Sequence, residues 1–303
     1  MNLSILTLAV VLVGAPVSVA AADLESTFQA LKDAEAKGDA AQVKKLAVEA
    51  GAMAKQAAAE PAPASADDKP AWTDRVKYAQ DVESYTEYAL YVTAVKGPAA
   101  TEVDLFATLE EQNPKSKYLD DGYGAYLEAL KETGASAKIP AIAEKALQNL
   151  PENEDLLLVG ALNAQAKQPD KALAYANRLV AAAGKHTKPE GTAAADWERK
   201  HNISLEYGHW IAGVIHGQKQ QWLAADKDLR TALPLIKGND AMTAPALFYL
   251  GVANYNLGKM TMNKAKVLDG AKFSDQCAAL PGQYAEQAWK NSQIMKADAG
   301  KMR

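Results

Sequence analysis

Glycine and proline recur at matched intervals along the middle of the chain. Gly97 precedes Pro114 by 17 residues, Gly134 precedes Pro151 by the same 17, and the two prolines lie 37 apart. Both residue types end helices, glycine by accepting left-handed backbone angles and proline by lacking an amide hydrogen. The spacing therefore divides the chain into pairs of short helices, each pair occupying about 34–40 residues.

The segment Leu247–Lys259 is typical of the first helix of such a pair. Gly251 is predicted to lie inside it, where a partner helix comes close, and Gly258 is predicted to end it. The next helix, about Asn263–Ala279, is predicted without the usual small residues. Alanine is abundant and aromatic residues make up only 7% of the chain, which favours closely packed helices. The expected fold class is all-α, built of stacked antiparallel helix hairpins.

The first 22 residues have the layout of a secretory signal peptide. Leu3–Val13 is almost wholly apolar, and Ser18–Ala20 or Ala20–Ala22 offers small residues for cleavage. This apolar run is shorter than the roughly 20 residues that span a bilayer, which disfavours the alternative of an uncleaved membrane anchor. We expect cleavage near Ala20–Ala22, no membrane span in the mature chain, and a location in the periplasm or outside the cell.

Breaks in composition divide the chain into five predicted parts. Residues 1–22 are the signal peptide, 23–60 an N-terminal helical hairpin, and 61–71 a linker rich in proline and alanine. Residues 72–282 form the array of hairpins, and 283–303 form a C-terminal capping helix and tail. The individual helices are predicted over 40–59, 72–95, 99–112, 117–132, 136–150 and, after a loop, an elongated 193–217.

Charge and cysteine content exclude several classes of function. The net charge is −4 and no basic block is present, so nucleic acid is not an expected partner. The single cysteine, Cys277, rules out an internal disulfide and a cysteine-based metal cluster, and we expect a buried free thiol. His209 and His216 lack the spacing of a zinc helix, and His186 is expected in a solvated loop. No catalytic motif is recognised, and no metal, cofactor or catalytic residue is predicted.

Small residues recur where the two helices of a predicted hairpin would touch, and turn-forming residues recur where the chain would turn. They are Gly134, Ala146 and Pro151; Gly160 and Ala172; Gly213, Ala225 and Ala232; and Gly251 and Gly258. In this pattern, over residues 72–279, the chain resembles the tetratricopeptide repeat (TPR) family, and with its export signal it is similar to exported bacterial proteins of that kind. The resemblance implies a right-handed α-solenoid whose first helices line a concave groove for protein segments.

Carrying the groove positions of that family onto the predicted first helices gives a candidate binding surface. Its residues are Glu87, Tyr91, Gly124, Glu128, Trp210, Val214, Phe248, Val252 and Tyr255. Trp210, Phe248 and Tyr255 would place aromatic rings along the groove, as binding hot spots prefer. The alternative is that these rings only pack between neighbouring repeats.

The sequence thus predicts a non-enzymatic scaffold that binds a protein or peptide partner in the periplasm or cell envelope. Two alternatives stay open. One is a structural or assembly role through self-association in the envelope. The other is a hydrolase or small-molecule carrier, which would need a deep pocket with converging polar groups.

Overall fold

A computed structural model describes residues 17–188 and 193–302 of the chain. These residues form thirteen α-helices and one short 3-10 helix, with no β-strand among them, so the all-α prediction is confirmed. Clustering of contacts divides the chain into two compact units, Met1–Ser136 and Ala137–Arg303. The predicted signal peptide lies outside the described residues up to residue 16. Within the described ranges, no helix is both long enough and apolar enough to cross a bilayer.

The first unit contains five helices: α1 (Val17–Lys37), α2 (Ala40–Ala58), α3 (Lys69–Lys96), α4 (Ala99–Gln112) and α5 (Lys117–Glu132). Their ends follow from local chemistry. Asp39 caps α2 by accepting a hydrogen bond from the amide of Gln42 at 3.1 Å. α3 begins three residues before the predicted start, because Pro70 fits the first helical turn, where amide hydrogens have no helical acceptor.

Packing in the first unit joins helices that are two apart in the chain as well as consecutive ones. α1 contacts α3, α3 contacts α5, and α2 contacts α4. A buried cluster of Leu24, Ala50, Ala54, Ala79 and Val82 joins α1, α2 and α3. The N-terminal hairpin therefore shares a hydrophobic core with the long helix that follows the proline-rich segment.

The second unit contains eight helices: α6 (Ile139–Ala146), α7 (Glu154–Ala164), α8 (Pro169–Lys185), α9 (Ala194–Gln218), α10 (Trp222–Ala232), α11 (Asp240–Met260), α12 (Lys264–Ala278) and α13 (Ala285–Lys301). The helix predicted over 136–150 is shorter than expected, because a 3-10 turn at Ser136–Lys138 precedes α6. The elongated helix after the loop is confirmed as α9. The predicted loop itself falls partly on 189–192, which lie outside the described residues.

Helices two apart also meet in the second unit. α7 contacts α9, α9 contacts α11, and α11 contacts α13, in addition to contacts between consecutive helices. Apolar side chains of α9, α10 and α11 form a buried cluster that includes Val214, Leu229, Met242 and Leu250. This cluster packs the three helices against one another.

Glycines in α11 and α12 allow these two helices to come close together. A Cβ added at Gly251 would lie 2.4 Å from the Ser274 hydroxyl oxygen, so the predicted close approach at Gly251 is confirmed. The expectation that the second helix lacks small residues is wrong. A Cβ at Gly270 of α12 would lie 2.8 Å from the Gly251 carbonyl oxygen, so both helices contribute a glycine to the contact.

Gly258 does not end its helix, and that prediction is wrong. α11 continues to Met260, and the chain then turns at Met262, which has a φ of 52°. A Cβ at Gly258 would lie 2.7 Å from the backbone nitrogen of Val267 in α12. Glycine is therefore required here for close packing of two backbones, not for a left-handed turn.

Candidate partner-binding surfaces

The predicted groove residues of α3 lie in or beside helix contacts. Glu87 is buried, accepts a hydrogen bond from the Asn113 side-chain amide at 2.8 Å, and lines a cavity of about 180 Å³ between α2, α3 and α4. The half-buried ring of Tyr91 stacks on Tyr118, with 5.6 Å between ring centroids. Burial, and secondarily the charge of Asp121, raises the pKa of Tyr91. Of the two predicted groove residues on α3, Glu87 is buried and Tyr91 is partly exposed to solvent.

The predicted groove residues of α5 are exposed. Gly124 and Glu128 both lie on its solvent side. The Glu128 carboxylate is 2.8 Å from the Lys131 ammonium group one helical turn later. Such an exposed pair contributes little stability, about 0.3–0.5 kcal/mol for neighbours on one helix, so it is readily exchanged for a contact with another molecule.

Two of the predicted residues on α9 belong to the core. Val214 is 4% exposed and packs in the cluster with Leu229 and Met242. The Trp210 ring packs on the same cluster, and its indole N–H donates to the Met242 carbonyl oxygen at 2.9 Å. These two side chains are brought together, and they hold α9 against α11.

The remaining predicted residues lie along α11. Phe248 packs against Tyr284 with 5.0 Å between ring centroids. The Tyr255 hydroxyl donates to the Asp298 carboxylate at 2.7 Å, and this hydrogen bond, together with burial, raises the pKa of Tyr255. Val252, which lies between Phe248 and Tyr255 in the sequence, is partly exposed. The rings of Phe248 and Tyr255 thus contribute to packing around α13, while Val252 offers a partly open site.

The structure also brings together a row of aromatic side chains that the predicted groove did not include, apart from Tyr91. The row runs across α1, α3 and α5, and we call it the tyrosine strip: Phe28, Tyr78, Tyr85, Tyr88, Tyr91 and Tyr118. Ring centroids are 5.2 Å apart between Phe28 and Tyr85, 5.7 Å between Tyr85 and Tyr88, and 5.9 Å between Tyr88 and Tyr118. The sequence carries a signal for the strip, because Tyr78, Tyr85 and Tyr88 recur at helical spacing.

Carboxylates lie beside the tyrosine strip. The Tyr85 hydroxyl donates to Glu35 at 3.0 Å, and burial together with this carboxylate raises the pKa of Tyr85 to about 12. Burial, and then the charge of Glu25, raises the pKa of Tyr78. The surface around these rings is therefore both aromatic and acidic.

A buried polar network joins α10 and α11, and hydrophobic periodicity did not predict it. Asn254 is fully buried, and its amide N–H donates to the Asp226 carboxylate at 2.6 Å. Arg230 donates to the same carboxylate at 2.7 Å and to the Asn254 carbonyl oxygen at 2.9 Å. The three side chains satisfy one another, as buried polar groups must.

An open cavity of about 580 Å³ lies between the end of α10, the start of α11, and α12. Its apolar lining includes Leu233, Leu247 and Phe273, and its charged groups include Arg230 and Lys237. The Arg230 guanidinium lies 5.0 Å from the Phe273 ring and is already bonded within the buried network. It is therefore held in place as a structural group at the edge of this cavity.

Three of the four histidines, His186, His209 and His216, lie close to acidic side chains, whereas His201 stacks on Trp197. His209 Nδ1 donates to Asp228 at 3.0 Å, and His216 Nε2 lies 3.6 Å from the other oxygen of that carboxylate. His186 is exposed in the loop after α8, as predicted, and its Nδ1 lies 2.8 Å from buried Glu154. In the described part of the chain, no three His, Cys, Asp or Glu side chains are grouped to hold a metal ion.

The thiol of Cys277 is buried, as predicted. It donates to the Ala244 carbonyl oxygen at 3.3 Å, and burial raises its pKa to about 11. A thiol with a raised pKa is protonated at neutral pH and is a poor nucleophile.

Comparison with protein-family models, with curated proteins and with solved structures found no match to this chain. The function is therefore argued from the residues themselves. In the first unit, exposed Glu128 on α5 and the tyrosine strip on α1, α3 and α5 are open to a partner. In the second unit, Val252 on α11 is partly exposed.

Proposed function

We propose that this chain is an exported, non-enzymatic scaffold of the TPR type, a right-handed α-solenoid that binds a protein segment in the periplasm or cell envelope. The observation that carries the proposal is the pattern of helix contacts. In each unit, consecutive helices pack as hairpins while every second helix contacts the next one in its own layer: α1, α3 and α5, and then α7, α9, α11 and α13. A stack of hairpins has this pattern of contacts.

Close contacts at small residues support the same organisation. A Cβ added at Gly160 of α7 would lie 2.9 Å from the Tyr175 ring of α8, and one at Gly213 of α9 would lie 2.6 Å from Leu229 of α10. Gly251 has the same relation to α12. Each hairpin of the second unit after α6 thus has a glycine where a larger residue would separate its helices.

Affinity capture from an envelope extract tests the binding role. The bait is the purified chain, compared with Val252→Arg on the partly exposed side of α11 and with Leu223→Arg, an exposed control on α10. We expect quantitative mass spectrometry to recover the same protein with the unaltered bait and the control, and to lose it with Val252→Arg. Recovery of nothing above background, or equal recovery with both variants, contradicts the proposal.

Sedimentation separates partner binding from an assembly role. If the chain acts by self-association, its mass rises with concentration in analytical ultracentrifugation. A scaffold for another protein keeps a constant mass over the same range. We expect the constant mass.

A further inference from the structure

The tyrosine strip is an exposed aromatic surface that the core of the first unit does not absorb. Tyr78 and Tyr88 are each 38% exposed. The Tyr88 ring contacts half-buried Tyr85, and Phe28 contacts both Tyr85 and Tyr78, so a continuous row of rings joins the two exposed side chains. Contiguous exposed apolar surface of this kind marks interaction sites.

The charge around the strip selects the kind of partner. Glu25 and Glu35 lie beside Tyr78 and Tyr85, and exposed Asp81 lies on the same face of α3, one helical turn from each of those tyrosines. Tyrosine rings stack on nucleic-acid bases only where cations neutralise the phosphates. An acidic aromatic surface instead attracts positive charge, both by ion pairing and through the negative faces of the rings.

Two lysines of the chain already sit over rings at the two ends of the strip. The Lys32 ammonium lies 4.4 Å from the centroid of Phe28, and the Lys117 ammonium lies 4.9 Å from that of Tyr118. Ammonium groups are therefore accommodated at these faces. Between the two ends, Tyr85 and Tyr88 continue the row of rings in steps of 5.2 to 5.9 Å.

We propose that the tyrosine strip binds an extended protein segment that carries lysine or arginine at alternate positions. In an extended chain, alternate side chains lie on one side and recur about every 7 Å, which is comparable with the steps between the rings. Asp81 and Glu35 would pair with the same cationic groups from the side. This inference rests on the proposed function, which is the binding of a protein segment. It adds that the segment is extended and positively charged.

Fluorescence anisotropy on the purified full chain tests the inference with defined probes. The probe is a labelled peptide of alternating lysine and serine, compared with peptides in which glutamate or glutamine replaces lysine and with a single-stranded oligonucleotide. The variants are Tyr78→Ser with Tyr88→Ser, and Asp81→Asn, which keeps the shape of the surface. Matched controls are Trp289→Ser and Glu286→Gln on α13, both exposed and in the other unit. Circular dichroism establishes that every variant is folded.

We expect the lysine peptide alone to bind, and to bind less tightly as salt is raised. Loss of one exposed cation–π contact weakens binding about 2- to 5-fold, so the double tyrosine variant should lose about tenfold. Asp81→Asn should lose about threefold, and the α13 controls should bind like the unaltered chain. If the double tyrosine variant is unfolded, the peptide binding of Asp81→Asn alone decides whether the inference stands.

Three results overturn the inference. They are absence of binding by the lysine peptide, equal binding by the glutamine peptide or the oligonucleotide, and unchanged binding in the strip variants. Failure here with successful, Val252-dependent capture from the extract leaves the scaffold proposal intact. Strip-dependent peptide binding without any capture from the extract contradicts the scaffold proposal and still supports the preference of the strip for cationic segments.

Discussion

At the scale of single residues, Gly258 shows most clearly how small side chains determine the packing of this fold. Its α-carbon faces the backbone of the next helix, and an added Cβ would lie 2.7 Å from the Val267 nitrogen and 2.9 Å from the Asn263 carbonyl oxygen. Backbone atoms cannot move aside as a flexible side chain can. Gly258→Ala should therefore lower the free energy of unfolding by about 1–3 kcal/mol, in the range of overpacked cores.

A second glycine provides the control for Gly258→Ala. Gly300 lies in the last turn of α13, and a Cβ there would meet nothing within 4 Å. Gly300→Ala should leave stability unchanged or raise it by up to about 1 kcal/mol, because alanine is the better helix former. Denaturant unfolding followed by far-ultraviolet circular dichroism measures both variants. Equal stabilities of the two would contradict the packing role of Gly258.

The raised pKa of Tyr85 predicts how the stability of the first unit changes at alkaline pH. Its pKa is raised from 10.0 to about 12, by burial first and then by its hydrogen bond to Glu35. Between these pH values the unfolded chain has lost this proton while the folded chain keeps it, so raising the pH favours unfolding. The stability linked to Tyr85 is thus fully present below pH 10 and is lost progressively as the pH rises towards 12.

Ultraviolet titration of tyrosinate measures this shift. The difference between the unaltered chain and Tyr85→Phe should show one tyrosine that ionises near 12 in the folded protein. The loss of stability above pH 10 should also be shallower in Tyr85→Phe. An ionisation near 10 in the difference titration would show that neither burial nor Glu35 affects this hydroxyl in solution.

At the scale of helices, we expect the buried network on α10 and α11 to contribute to the free energy of unfolding. The pattern of hydrophobic residues in the sequence does not predict this contribution. Asn254→Leu removes the amide that donates to Asp226 and the oxygen that accepts from Arg230. Asp226 keeps its hydrogen bond from Arg230 but loses the buried amide donor, and a typical intramolecular hydrogen bond contributes about 0.5–1.5 kcal/mol. We expect that loss in the free energy of unfolding, measured by denaturant titration.

The neighbouring Asn256 provides a control on the same helix. Its side chain is partly exposed and bonds only to the Val252 carbonyl oxygen of its own helix among the contacts described. Asn256→Leu should therefore change stability by no more than about 0.5 kcal/mol. A loss in Asn256→Leu as large as that in Asn254→Leu would show that the network makes no specific contribution.

Helix ends were predictable from the sequence wherever one residue type decides them. α4 and α5 have the predicted bounds, because Pro98 and Ser116 mark their starts and Pro114 and Gly134 follow their ends. α11 begins seven residues before Leu247, because Asn239 caps it and Pro245 is tolerated near its start. A prediction that treats every proline as a helix breaker therefore places the start of α11 too late.

The side of a helix that faces solvent was less predictable. Glu87 was assigned to the groove and is buried, whereas Tyr88, the next residue and about 100° further round the helix, is exposed. α3 contacts α1, α2, α4 and α5, so little of its circumference remains open. Which part stays open depends on neighbours distant in sequence, and the periodicity of one helix does not specify them.

At the scale of the whole molecule, the scaffold proposal combines a predicted export signal with an exposed or partly exposed helix face in each unit. The faces are at Tyr88 on α3 and Val252 on α11. Both helices belong to the layers in which every second helix meets the next. We expect a partner to contact position 88 in the first unit or position 252 in the second, and to leave exposed Leu223 on α10 untouched.

Photo-crosslinking in cells that produce the protein tests this claim most directly. A photoreactive phenylalanine derivative replaces residue 88, 252 or, as a control, 223 in the full chain, and the cells are irradiated before fractionation. We expect an adduct of discrete mass from position 88 and one from position 252, in the periplasmic fraction and on a chain shortened by about 20 residues through signal cleavage. Absence of adducts from both positions, or equal adducts from position 223, would contradict it.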